Sequence, residues 1–311
     1  KRILTLLVLA VLSRQYIHAQ GTTSSISGTV TEPNGSPLVG ATVVAIHQPS
    51  GTKYTTISKQ GGVVNLPGLR VGGPYSITVT YVGFKTQVFD NVTLVLGEAY
   101  NLSAQLGSDA VELSTVSVTA STRRRSFTDK VGATTNINAA QLSTLPTISR
   151  SITDYTRITP QANGTSFAGS DNRMNNMQVD GANLNNNFGL SSDLLPGGGN
   201  PISLDAYQEI SVNVSPFDVR QSGFTGAGIS AITKSGTNTF HGSFYGAYRD
   251  QSFNGTNVAG TTLPHPAKTN NKLYGVTFSG PIIKNKLFFF VNGEIEKASR
   301  PGITWSPKGG S

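Results

Sequence analysis

The chain has 311 residues; 13% are charged, 37% are hydrophobic, 35 are glycine, and the formal net charge is +8. That balance is too apolar for a disordered chain and too rich in turn formers for a helical bundle, and it suits many short strands in two or three domains. Beyond residue 20 basic residues cluster only at Arg123, Arg124 and Arg125, so no basic stripe with interleaved aromatics marks a nucleic-acid surface. With no cysteine, disulfides and thiolate metal sites are excluded.

Residues 1–20, KRILTLLVLAVLSRQYIHAQ, have a basic start, an apolar run from Ile3 to Leu12 and a polar approach to Ala19. The run is shorter than the roughly 20 apolar residues a membrane helix needs and has the length of a signal-peptide core, so the chain reads as exported. Residues 21–106 read as a series of short strands: ISGTVT, the turn Pro33-Asn34-Gly35, GATVVAI, TKYTTIS, GVVNLPGL, YSITVTYVGF, TQVFDNVTLVL and AYNLSAQL. Val, Ile, Thr and Tyr dominate while Gly, Pro and Asn punctuate, which predicts an antiparallel sandwich.

Residues 107–125 form a linker with a β-prone piece from Leu113 to Thr119. Residues 126–236 mix short helices and strands, a small α+β unit. NAAQLSTLP predicts a helix capped by Asn138 and stopped by Pro146. SITDYTRITP predicts another, with Ser151 and Asp154 at its start, Ile152, Tyr155 and Ile158 on one face, and Pro160 as its end. NMQVDG predicts a strand running into an Asp180-Gly181 turn, and DAYQEISVNVSP predicts a half-turn of helix before alternating Ile210, Val212 and Val214.

From Asn238 the pattern becomes strict alternation. Phe240, Phe244 and Tyr248 oppose Thr239, His241, Ser243 and Arg249. Tyr274, Val276 and Phe278 oppose Thr277 and Ser279, and Leu287, Phe289, Val291 and Ile295 oppose Asn292, Glu294 and Glu296. Phe288 and Phe290 interrupt the polar face near one end, as an aromatic girdle would. Each segment is about 10 residues, the length of a tilted bilayer-crossing strand. A long polar connection, 250–271, joins the first two, and the short GPIIKNK joins the second and third. This order of long and short connections suits a membrane barrel whose first strand starts on the periplasmic side.

Two stretches resemble known families. GTVTEPNGSPLVGATVVA and GLRVGGPYSITVTYVGFKT resemble the carboxypeptidase-regulatory-like domain, a transthyretin-like β-sandwich without catalytic groups. At 59–63 the chain has Lys-Gln-Gly-Gly-Val where that family carries an acidic residue and an aromatic. DAYQEISVNVSPFDVRQSGFTGAGISAITKSGTNTFHGSFYG and FAGSDNRMNNMQVDGANLNN resemble the plug domain and first barrel strand of Oar-like TonB-dependent outer-membrane receptors. Ala168-Gly169 replaces that family's Arg-Gly, so no role is carried to Ala168.

The resemblance implies a mainly β architecture. It comprises a signal peptide (1–20), a sandwich (21–106), a linker (107–125), a plug domain (126–236) and the first strands of an incomplete transmembrane β-barrel (237–311). It implies no cofactor and three partners: the TonB energising protein, outer-membrane lipid and an extracellular ligand of unidentified class. TonB pairs with a short strand, the TonB box, for which the candidate is Leu113, Ser114, Thr115, Val116, Ser117, Val118, Thr119 and Ala120. The glycine-rich segment 222–236 then leads from the plug into the wall, where close backbone approach and positive φ suit glycine. The alternative reading is an adhesive or structural surface protein that binds through the sandwich.

Catalytic readings are weaker. Ser50-Gly-Thr-Lys53, Ser170-Asp171-Asn172 and Lys234-Ser235-Gly236 follow the order of penicillin-recognising serine enzymes. Ser and Lys three apart cooperate only on a helix face, and Pro49 and Gly51 place Ser50 in a hairpin loop instead. His18, His47, His241 and His265 lack the spacing of a zinc site.

Overall fold

The computed structural model describes residues 22–108, 116–119, 132–145, 147, 150–185, 202–216, 221–262 and 268–299. Residues 1–20, expected to be a signal peptide, therefore lie outside the described residues, as do Leu113, Ser114, Thr115 and Ala120 of the candidate TonB box. In chain order the strands are β1 (Ser24–Thr31), β2 (Thr42–His47), β3 (Thr52–Ile57), β4 (Val63–Leu69), β5 (Gly72–Thr80), β6 (Gln87–Leu94), β7 (Ala99–Gln105), β8 (Val116–Thr119) and β9 (Gly132–Asn138). They continue as β10 (Ala162–Asn163), β11 (Ser166–Phe167), β12 (Asn176–Val179), β13 (Ala182–Asn183), β14 (Tyr207–Pro216), β15 (Gly228–Thr233) and β16 (His241–Asp250). The last are β17 (Asn257–Val258), β18 (Thr261–Thr262), β19 (Asn270–Ile283) and β20 (Leu287–Ser299).

The first unit is a two-sheet sandwich, with orders β4-β1-β7 and β3-β2-β5-β6-β8. Alternate residues point inward and close one core around Ile26, Val43, Tyr75, Ile77, Leu94 and Leu102. The expectation of purely antiparallel pairing is corrected here, because β1 pairs parallel with β7 and β6 parallel with β8. Strand alternation is the same in both directions, so the sequence pattern carried no sign of it. Parallel neighbours need a long crossover, and β2 to β6 supply one between β1 and β7. The strands on either side of the Pro33-Asn34-Gly35 turn belong to different sheets, so β1 and β2 are not a hairpin.

At one end of this sandwich His47 is buried under Tyr75, with ring centroids 4.9 Å apart, and its Nδ1 pairs with Ser50 Oγ at 2.7 Å. Burial first, and then the Arg70 charge, pull its pKa from 6.5 to about 4. The folded-state value lies below the unfolded one. The stability this neutral ring supplies is therefore complete above about pH 6.5 and drains as the pH falls towards 4. Thermal unfolding followed across that window is expected to show the sandwich losing stability, and His47→Gln is expected to flatten the slope.

The second unit is a five-stranded sheet, β13-β12-β15-β14-β9, with two short helices beside it. Helix Ala139–Thr144 starts where the sequence places it: Asn138 accepts from the Gln141 N–H, and the Gln141 side chain reciprocates. Helix Ile152–Thr156 is capped by Ser151 and buries Ile152 and Tyr155. It ends at Thr156, so Ile158 falls beyond it and is exposed, against the expectation of a shared face. Asp180 and Gly181, with φ of 49° and 83°, make the tight turn from β12 to β13; two consecutive positive φ values are what a type I′ hairpin turn demands. Ile137, Ile152, Tyr155, Phe167, Ile210, Val212 and Ile229 share this unit's separate core.

The third unit is the three-stranded antiparallel sheet β16-β19-β20. β19 and β20 are longer than the alternating segments suggested, while β16 begins only at His241. Much of GPIIKNK continues β19, which leaves a hairpin of residues 284–286 with Asn285 at φ 64°. The sheet is not closed into a barrel.

Candidate functional site

Residues paired across an antiparallel sheet point to the same face, so the register of β16-β19-β20 defines its two surfaces. One carries the rows Gly242/Phe278/Val291, Phe244/Val276/Gly293 and Gly246/Tyr274/Ile295. The Tyr248/Lys272/Lys297 row follows on the side of the long connection. Phe244, Val276, Phe278, Val291 and Ile295 are all at least half exposed on this face. A contiguous apolar surface of this kind on a sheet needs a covering. At the short-turn end Phe240, Phe278 and Phe289 form an aromatic cluster, with centroids 5.4–6.3 Å apart. The two ends of this band, Phe240 and Tyr248, are separated by about 20 Å once the tilt of a barrel strand is allowed for, close to the height of a membrane apolar belt.

The opposite face is polar. Its rows are His241/Ser279/Phe290, Ser243/Thr277/Asn292, Tyr245/Gly275/Glu294, Ala247/Leu273/Glu296 and Arg249/Asn271/Ala298, with Leu273 buried among the polar side chains. Ser243 and Thr277 hydroxyls meet at 2.6 Å, and Asn271 Nδ2 donates to Glu296 Oε1 at 2.8 Å. Phe288 lies beside the connector, where a Cβ on Gly236 would be 3.0 Å from the Phe288 Cβ.

The middle unit docks on this polar face through Arg150 and Ser203. Tyr245 lies flat across Gly275, where an added Cβ would fall 2.0 Å from its ring, and its hydroxyl donates to Glu294 Oε2. From the middle unit, Ser203 Oγ pairs with the Tyr245 hydroxyl at 2.6 Å. The Arg150 guanidinium sits 4.4 Å above the Tyr245 ring centroid and also binds Asp205 at 2.8 Å. A stacked cation and a shared hydroxyl thus tie the middle unit to the wall, and the ion pair to Asp205 holds that cation within its own unit. Sequence reading missed Tyr245, Arg150, Ser203 and Glu294. The available signal was an aromatic residue, Tyr245, on the polar side of β16. Gly275→Val is expected to push Tyr245 off this row at a cost of about 1–3 kcal/mol, read as faster proteolysis of the middle unit.

The glycine-rich passage into the wall is explained by close approach more than by positive φ. A Cβ on Gly228 would meet the Phe224 ring at 2.7 Å, and one on Gly236 would meet the Phe289 and Gly280 carbonyl oxygens at 2.5 and 2.6 Å. In this passage Gly223 has positive φ, at 85°.

Of the candidate TonB box, Val116–Thr119 form β8, at the edge of the larger sandwich sheet, paired with Gln87–Asp90 of β6. The serine-enzyme motifs are not assembled: Ser50 lies in the turn after β2, with its hydroxyl bound to His47 and Thr52, and Lys53 is on strand β3. Among the described residues no group of His, Asp and Glu is arranged to hold a metal ion. No described helix is long and apolar enough to cross a membrane, which says nothing of β-barrels.

Residues 25–107 match the carboxypeptidase regulatory-like domain family, and residues 232–306 match an outer membrane beta barrel domain family. The two matched segments, a sandwich family first and a barrel family after it, stand in the order that the resemblance to Oar-like receptors implies. The TonB-dependent transporter Oar of Myxococcus xanthus is 31% identical over 133 residues, which are 41% of this chain and 12% of that protein. The chain therefore aligns with about an eighth of this relative's length.

Among solved structures, the siderophore receptor PirA from Acinetobacter baumannii is 24% identical, covering 53% of this chain and 24% of that one, at a TM-score of 0.42. The outer membrane transporter YddB from Escherichia coli is 18% identical, covering 53% and 26%, at 0.37. The catechol 1,2 dioxygenase of Acinetobacter radioresistens is 14% identical, covering 32% and 58%, at 0.24. Scores this low carry no argument about ligand or chemistry.

Proposed function

We propose that the chain forms part of a TonB-dependent outer-membrane receptor that takes up an extracellular ligand without performing chemistry on it. In this reading residues 1–20 are a signal peptide, 21–106 the accessory sandwich, 107–125 a linker with the TonB box, 126–236 the plug and 237–311 the first barrel strands. The sandwich and the plug face the periplasm. The observation that carries the reading is the two-faced sheet β16-β19-β20, apolar outward and bound on its polar face to the middle unit through Tyr245, Arg150 and Ser203. Three strands alone leave open edges and cannot seal a pore, so transport belongs to a closed barrel with more strands.

TonB would engage residues 113–120 by main-chain pairing. The strand form of Val116–Thr119, at a sheet edge, supports this, since an edge strand already presents an extended backbone. A photo-crosslinker at Ser117 in the full-length receptor is expected to capture TonB in cells, and Val116→Pro, which removes a main-chain donor, is expected to abolish capture. Capture unaffected by the proline would move the box elsewhere. Fractionation tests the wider reading: the full-length product should sediment with outer membranes, and recovery in the soluble periplasm would overturn it.

A further inference from the structure

The sandwich touches two other units at once. At the short-turn rim of the wall, the Asn238 N–H donates to the Pro49 carbonyl at 2.9 Å and Arg70 Nη2 donates to the Gly236 carbonyl at 3.3 Å. Gly51 lies directly against Asn285: a Cβ there would be 2.1 Å from its Oδ1. Asn238 and Asn285 are themselves cross-bonded, Asn238 Nδ2 to Asn285 Oδ1 at 2.7 Å and the Asn285 N–H to Asn238 Oδ1 at 2.8 Å. On the middle sheet, the Leu96 N–H donates to the buried Glu209 Oε1 at 3.1 Å, and Asn136 Nδ2 donates to Glu98 Oε1 at 2.7 Å.

This joint is made differently from the units it connects. The sandwich and the middle sheet have separate cores, and the contacts named between them are hydrogen bonds, beside the buried side chain of Leu96, which belongs to neither core. Each donor and acceptor in that seam finds water when the seam opens, so separation strands no polar group. Polar interfaces inside a chain favour relative motion, whereas permanent ones share an apolar core.

We propose that the sandwich is a releasable clamp. One jaw, Pro49–Gly51 and Arg70, grips the rim at Gly236, Asn238 and Asn285; the other, Leu96 and Glu98, grips the middle sheet at Glu209 and Asn136. A body bridging both must let go of one before the middle sheet moves against the wall, so the clamp sets when that movement begins. The inference rests on the reading of the middle sheet as a plug.

Hydrogen exchange by mass spectrometry on the unmodified full-length protein, extracted from outer membranes, tests it. The amides of Leu96 and Asn238 are expected to exchange at least ten-fold faster than those of β2 and β5, yet slower than in an unfolded peptide. Exchange as slow as the strands would mean a fixed joint, and exchange without protection would mean no docking; either overturns the clamp. Arg70→Ala, which strips the side-chain bond to the Gly236 carbonyl from the rim jaw, is expected to speed exchange several-fold at Leu96, in the other jaw, with β2 and β5 unchanged. Acceleration confined to residues 236–240 would mean a local contact only and would also overturn it. Recovery of the protein outside the outer membrane would end the uptake reading and still leave the exchange comparison legible.

Discussion

Val276→Arg is expected to keep the full-length protein out of the membrane, while Thr277→Arg, one residue along the same strand, is tolerated. Val276 lies between Phe244 and Gly293 in the middle of the exposed apolar face. A charge at the midplane of a barrel's lipid face costs about 2–4 kcal/mol. Thr277 lies in the polar row with Ser243 and Asn292, where an arginine reaches hydrated or polar surroundings. The check is quantitative immunoblotting of outer membranes, with chemical denaturation of refolded protein to measure the loss. Equal effects at both positions would show that the faces are not distinguished by lipid.

Gly28→Val is expected to unfold the sandwich while sparing the wall. β1 is the central strand of its sheet, between β4 and β7. A Cβ on Gly28 would lie 1.8 Å from the Leu102 carbonyl oxygen and 2.8 Å from its nitrogen, both backbone atoms of a paired strand. A side chain could swing away; a paired backbone cannot, so the strands must part. The expected loss is on the order of 4 kcal/mol or more, which for a domain of this size lowers the thermal midpoint by roughly 15–30 °C. Gly107→Ala is the control. A Cβ there meets nothing within 4 Å, and a change within about 0.5 kcal/mol is expected. Proteolysis of the first unit during a temperature ramp reads both variants.

The alternation of Phe240, Phe244 and Tyr248 against His241 and Ser243 was legible because side-chain direction in a strand has a period of two, whatever the strand pairs with. The Asn138 cap and the Asp180-Gly181 turn were legible for a similar reason, since each is settled by local hydrogen bonds or φ values. Pairing partners were not. Nothing in SSISGTVT tells that β1 lies between β4 and a parallel β7, because those partners are chosen by packing at long range. Tyr245 was hidden for a different reason. It sits on the polar face, where an aromatic reads as an interruption, and its role depends on Gly275 and Glu294, which only the register brings into its row. The clamp contacts were invisible in sequence, since Pro49, Gly51 and Leu96 meet their partners through main-chain groups that carry no side-chain signature.

A fluorophore scan along β19 tests the central claim most directly. These residues contain no cysteine, so single cysteines at 271, 274, 276, 277, 278 and 279 can each be labelled in outer-membrane preparations and quenched with brominated lipid. Strong quenching at 274, 276 and 278 with little at 271, 277 and 279 is the result a lipid-facing wall requires. Quenching that does not alternate, or that is absent at all six positions, would mean that this sheet does not cross a bilayer.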